Sequence, residues 1–108
     1  MGKIVIYANE IALFINELLV ILSEKGYFSF PDSAKAYKDK LLDYIEKYIG
    51  IIPGKTAPKY FNRYGKDLKY ISYKANKTTT WYIFYQQKDN VFLIRYIANN
   101  HTAAQYFE

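Results

Sequence analysis

The sequence predicts an α+β domain of order β-α-α-β-β-β: an antiparallel meander sheet with an N-terminal strand and a two-helix hairpin on one face. Three observations carry this. A short β-branched stretch opens the chain, two helical apolar stripes follow, and three alternating segments joined by tight turns come last. The 108 residues, 51% apolar and 23% charged, suit a single domain, 1–108, with one modest core.

Lys3 to Tyr7 reads as the opening strand. Ala8, Ile11, Ala12, Ile15, Leu18, Leu19 and Leu22 then fall at helical spacing. Leu13, Phe14, Val20 and Ile21 widen that stripe, predicting a helix buried over more than half its girth, with Gly26 as its stop. A second helix starts near Ser29-Phe30-Pro31-Asp32, where Ser29 suits a cap and Pro31 a first turn. Its buried face is Ala34, Tyr37, Leu41, Tyr44, Ile45 and Tyr48, and Gly50 ends it. Pro53, Gly54 and Pro58 predict an irregular surface stretch over 51–65. Strands are expected over 67–75, 79–87 and 91–98, with turns at Asn76-Lys77 and Lys88-Asp89-Asn90. Trp81, Ile83 and Tyr85 share one face, and Tyr82, Phe84 and Gln86 the other. The last strand is apolar on both faces except at Arg95, as a central strand is, so the opening strand is placed beside it. The tail 99–108 is either a short helix or an extended arm.

Composition excludes several kinds of chemistry. With no cysteine there is no disulfide scaffold, thiolate metal site or cysteine nucleophile, and one histidine excludes a His-rich metal centre. No metal and no cofactor are expected. The longest apolar run, Ile11 to Leu22, is interrupted by Asn16 and Glu17 and is too short to span a bilayer, so a cytoplasmic protein without a membrane partner is expected. The net charge of +5 has one source. Residues 55–77 hold seven Lys/Arg against Asp67 alone, whereas 10–50 is slightly acidic. Such clustering points to a polyanionic partner, nucleic acid or an acidic protein.

The element order, the Thr-Thr-Trp-Tyr-Ile-Phe-Tyr strand and the Val-Phe-Leu-Ile-Arg-Tyr-Ile-Ala-Asn-Asn-His segment together resemble the RelE/ParE superfamily of type II toxin–antitoxin toxins. Tyr60-Phe61-Asn62-Arg63-Tyr64-Gly65 is similar to a segment of its Bacteroidetes-type branch. The resemblance covers nearly the whole chain. It implies a toxin that causes growth arrest, either by cutting mRNA on the ribosome or, alternatively, by poisoning DNA gyrase without nuclease activity. A non-toxic, partner-binding member of the fold is the third reading. The implied partner is a cognate antitoxin, whose acidic or amphipathic segment would cover the basic face and add a strand or helix to it. The RNA-cleaving pattern has an arginine three residues before a tyrosine on the middle strand. Here Tyr82 stands in that position before Tyr85. The pattern also has a basic residue or histidine past the last strand and a tyrosine five or six residues on, matched by His101 and Tyr106.

RNA carries its own 2′-OH nucleophile, so a protein has only to move protons and stabilise charge on the phosphorane. His101, with an unperturbed pKa near 6.5, suits base or acid work, and Tyr106 suits an acid or orienting role. Lys55, Lys59, Arg63, Lys66, Lys74, Lys77 and Arg95 are the candidate phosphate contacts, and Tyr82 the candidate base-stacking ring.

Overall fold

A computed structural model describes residues 2–24, 31–75, 77 and 79–107, without the side chains of 18, 19, 21–23, 31–34, 101, 102 and 104. The elements are β1 (Ile4–Tyr7), α1 (Asn9–Glu24), α2 (Pro31–Tyr48), β2 (Lys55–Thr56), β3 (Lys69–Lys74), β4 (Thr80–Lys88), β5 (Val91–Asn99) and α3 (Asn100–Ala103). 3-10 turns form at Lys59–Tyr64 and Ala104–Phe107.

The strands make one sheet in the order β1-β5-β4-β3-β2. β2 through β5 are antiparallel to their neighbours, but β1 runs parallel to β5, with Ile4 opposite Val91 and Tyr7 opposite Ile94. The placement of β1 beside the last strand therefore holds, while the all-antiparallel sheet is corrected to a mixed one. Tight turns dictate direction only where they join neighbouring strands, and the whole helix pair separates β1 from the rest.

The helices pack on the face carrying Ile71, Trp81, Ile83, Tyr85, Phe92, Ile94 and Ile97, and contribute Ile11, Ile15, Leu41, Ile45 and Ile49. Trp81 anchors α2 by donating its indole N–H to the Tyr37 hydroxyl at 2.6 Å. Lys3 fastens β1 to the end of the same helix: its ammonium donates to the Lys47 and Ile49 carbonyls at 3.0 and 2.8 Å, supplying a cation where the helix dipole is negative. Gly50 takes a left-handed φ of 82° there, with Phe92 against the space a side chain would need.

α1 is less buried than its stripe predicts, since Leu13 and Val20 are 64% and 56% exposed. They lie beyond the arc that reaches the sheet. α1 begins at Asn9, one residue after the first apolar position counted into its stripe. Gly26 and Ser29, the expected stop and cap, lie outside the described residues, as does Asn76 of the first hairpin turn.

The stretch 51–65 is also corrected. Rather than an irregular surface loop, it supplies the edge strand β2 and a 3-10 turn whose Phe61 is 1% exposed. The tail resolves to the short helix and turn that end the fold.

Candidate nucleic-acid interface

The sheet face away from α1 and α2 has a second, smaller core. Pro58 enters the 3-10 turn at φ −59° and its carbonyl accepts from the Phe61 amide at 3.0 Å. That turn drops Phe61 onto Phe84, with ring centroids 4.3 Å apart. Phe107, carried back by α3 and the last turn, lies 4.4 Å from Tyr82, 5.0 Å from Tyr70 and 5.3 Å from Phe61. Two tyrosine pairs flank this centre. Tyr60 and Tyr106 stack at 3.5 Å and 6°, and Tyr64 and Tyr96 at 3.8 Å and 5°. These platforms went unread in the sequence, where the Tyr60–Tyr64 spacing inside the Tyr-Phe-Asn-Arg-Tyr-Gly segment is their one local trace.

Arg95 reaches this face through an irregularity the sequence did not reveal. Pairing passes from Phe84↔Tyr96 to Tyr85↔Ile94, leaving Arg95 without a partner on β4. Such a bulge turns two successive side chains to one face. Ile94 and Ile97 accordingly both enter the helix-side core at an odd spacing, and Tyr96 joins the second core. The Arg95 Nε donates to the Tyr64 carbonyl at 2.9 Å. Gly65, at φ 155°, leaves room beside it, for a Cβ there would stand 3.4 Å from that Nε and 3.0 Å from the Gln86 amide nitrogen. Gln86 in turn donates to the Lys66 carbonyl at 2.9 Å.

Arg63 is held in a related way. Its Nε donates to the Tyr60 carbonyl at 3.2 Å and its guanidinium stands 4.1 Å from the Tyr60 ring centre. Both arginines thus commit Nε to a carbonyl of one turn. Among the described residues, no carboxylate is hydrogen-bonded or ion-paired to either.

The remaining candidates divide. Lys55 lies opposite Tyr70, Lys74 opposite Thr80 and Ser72 opposite Tyr82 in the ladders, which puts Lys55 and Lys74 on the face of Tyr70 and Tyr82. Lys59 sits at the start of the covering turn. Lys66 follows Gly65, and Lys77 lies in the β3–β4 connection; both are exposed. Tyr82 is half-buried, with its ring engaged by Phe107 and Tyr70. His101 belongs to α3, and its side chain lies outside the described residues. Just before it, the Asn100 side-chain oxygen accepts from the Thr80 amide at 2.9 Å, tying the start of α3 to β4 and so to the Lys74 row.

The phenols here are hard to ionise. The Tyr106 hydroxyl is raised first by its hydrogen bond with Tyr60 and then by burial, with Arg63 and Gln105 acting the other way. Tyr96 is raised further, by burial and then by its bond with Tyr64. Both stay protonated near neutrality, which leaves their hydroxyls as hydrogen-bonding groups rather than bases. Among the described residues, no group of three His, Asp, Glu or Cys is placed to hold a metal ion. No described helix is long and apolar enough to cross a membrane. No protein-family model, curated protein or solved structure matches the chain.

Proposed function

We propose that the chain is the toxin of a type II toxin–antitoxin pair and inhibits translation by cutting mRNA on the ribosome, through the sheet face opposite the helix hairpin. The carrying observation is the pair Arg63 and Arg95. Each is oriented by one bond to the 59–64 turn, and each lies on the face that also holds Lys55, Lys74 and Tyr106. Oriented guanidiniums suit phosphodiester oxygens, and they stabilise charge that develops on phosphorus. Tyr106, kept neutral by Tyr60 and burial, supplies a proton to the departing 5′-oxygen or orients the phosphate. His101, at the start of α3, takes the proton of the 2′-OH. Arg95 supplies from β5 the positive charge that the family pattern has at the position of Tyr82. The cognate antitoxin is the proposed protein partner, and the ribosome with its mRNA is the target.

Mapping transcript ends after induced expression tests this reading. Cuts within translated message are expected, and they should vanish in a folded His101→Ala protein. Persistence of the cuts removes His101 from the chemistry. One observation favours the gyrase reading: Tyr82 stands where the family arginine belongs, and its ring is engaged by Phe107. A DNA-damage response without transcript cutting selects that reading, and expression without growth arrest selects the non-toxic one.

A further inference from the structure

We infer that Tyr60 and Tyr106 form an oxidative cross-linking site, which small one-electron oxidants convert into a dityrosine staple between the 59–64 turn and the C-terminal turn. Composition directs such oxidants to phenols. The chain has no cysteine, its one methionine is Met1, and its one tryptophan, Trp81, is 1% exposed. The usual sulfur sinks are nearly absent and the indole is enclosed, so oxidation falls on the thirteen tyrosines.

Geometry selects one pair among them. Aromatic rings ordinarily stack with an offset or meet edge to face. Tyr60 and Tyr106 do neither: their centroids are 3.5 Å apart and their planes differ by 6°. That separation is already the contact distance between carbon atoms, so the rings lie face over face without lateral shift. The two hydroxyls bond to one another, which points both rings the same way. Ortho carbon therefore lies over ortho carbon, and these are the atoms that carry spin in a phenoxyl radical and join in dityrosine. Tyr44–Tyr48 and Tyr44–Tyr73, with centroids 4.8 and 4.6 Å apart and planes inclined by 45° and 31°, lack that alignment. Tyr64–Tyr96 shares it at 3.8 Å and 5°, but Tyr96 keeps its proton more firmly, through burial and then its bond with Tyr64.

The surroundings keep radicals where they form. Among the described residues, the other ring in contact with this pair is Phe61, at 5.1 and 6.2 Å, and phenylalanine is far harder to oxidise. Arg63 stands 4.1 Å from the Tyr60 ring centre and covers the face that Tyr106 does not. Both tyrosines are half-buried, which leaves them partly open to a small oxidant. Each phenol gives up one electron and its hydroxyl proton; with carbonate radical as oxidant, two radicals leave as two bicarbonates. The phenoxyls then join ortho carbon to ortho carbon, and the hydrogens on those carbons move to the oxygens, restoring two phenols. The link closes the long stretch of chain between the two turns, so it restricts the unfolded state and holds the C-terminal turn over the sheet. The site does not depend on the toxin reading.

The test is limited oxidation of the folded full chain, at low micromolar concentration, with photochemically generated carbonate radical. Dityrosine emission and peptide mapping are the readouts. An intramolecular Tyr60–Tyr106 link is expected as the first product. Tyr106→Phe, which keeps the ring, should lower the emission at least about fivefold, and Tyr48→Phe should leave it unchanged. Concentrated urea, which separates the two turns, should abolish the preference for this pair. The inference is overturned if the first links join separate chains, if they fall at Tyr64–Tyr96, or if Tyr106→Phe emits as brightly as the unmutated chain. An equal yield of the link in urea overturns it as well, since stacking would then not be the cause.

Discussion

The two edges of the sheet are built on opposite principles. At one, β2 is two residues long, Lys55-Thr56, both exposed, and it lies between Pro53 and Pro58. The 59–64 turn follows it directly and lies over the neighbouring sheet face. At the other, β1 presents two outward-bonding residues and two half-exposed isoleucines, with no charge or proline among them. The first edge is guarded against pairing and the second is left ready for it.

The largest test of this contrast is Phe61→Ala. Phe61 touches Phe84, Tyr60, Tyr64, Tyr96, Tyr106 and Phe107, so removing its ring should cost about 3–5 kcal/mol of unfolding free energy in a denaturant titration. Exchange should quicken in the 59–64 turn while the β1 amides that bond β5 stay protected until global unfolding. Next in size is Lys3→Met, which removes two charge-assisted hydrogen bonds from the end of α2. A loss of about 1–2 kcal/mol is expected, with β1 loosening first.

A smaller effect is expected from alkali. Tyr7 on β1 is raised well above its ordinary value near 10 by burial, and then by Glu46, to which it donates at 3.2 Å. Tyr96 is raised comparably. An acid with a raised folded pKa is ionised more readily in the unfolded chain. Their contribution is therefore whole below pH about 10 and declines as pH rises beyond it. Melting temperatures measured across that window should fall less steeply in Tyr7→Phe.

The smallest effect on stability is expected at the exposed edge positions. Ile6→Lys should change unfolding free energy by no more than about 0.5 kcal/mol while slowing aggregation at high concentration. Lys55→Ile, the reverse exchange on the guarded edge, should hasten aggregation, and light scattering distinguishes the two.

Much of the fold was legible because period and turns are local signals. Trp81, Ile83 and Tyr85 do share the helix face, and Tyr82 and Phe84 the other. β5 is the inner strand that its apolar sequence implied. What escaped depends on distant partners. Nothing near residue 4 specifies that β1 runs parallel to a strand some ninety positions later. In β5, apolar residues on both faces hide the step that turns Tyr96 over, so the bulge at Arg95 is silent in the pattern. The surface loop expected over 51–65 gave way because Phe61, between Pro58 and Gly65, needs an apolar floor and finds one in Phe84. Of the site, the charges were legible and their arrangement was not. Lys55, Lys74, Arg63 and Arg95 converge through ladder register and bonds to one turn, and the Tyr60–Tyr106 platform joins segments far apart in sequence.

The pairing of the first strand with the last governs how the protein can be made. The mate of β1 is Val91–Asn99, so a growing polypeptide holds β1 without it until the helix pair and three further strands have been synthesised. Ring closure across that separation is slow compared with forming the β3–β4–β5 hairpins. Until then, nascent β1 offers both of its hydrogen-bonding edges, and a chain halted before Val91 would never hide either of them.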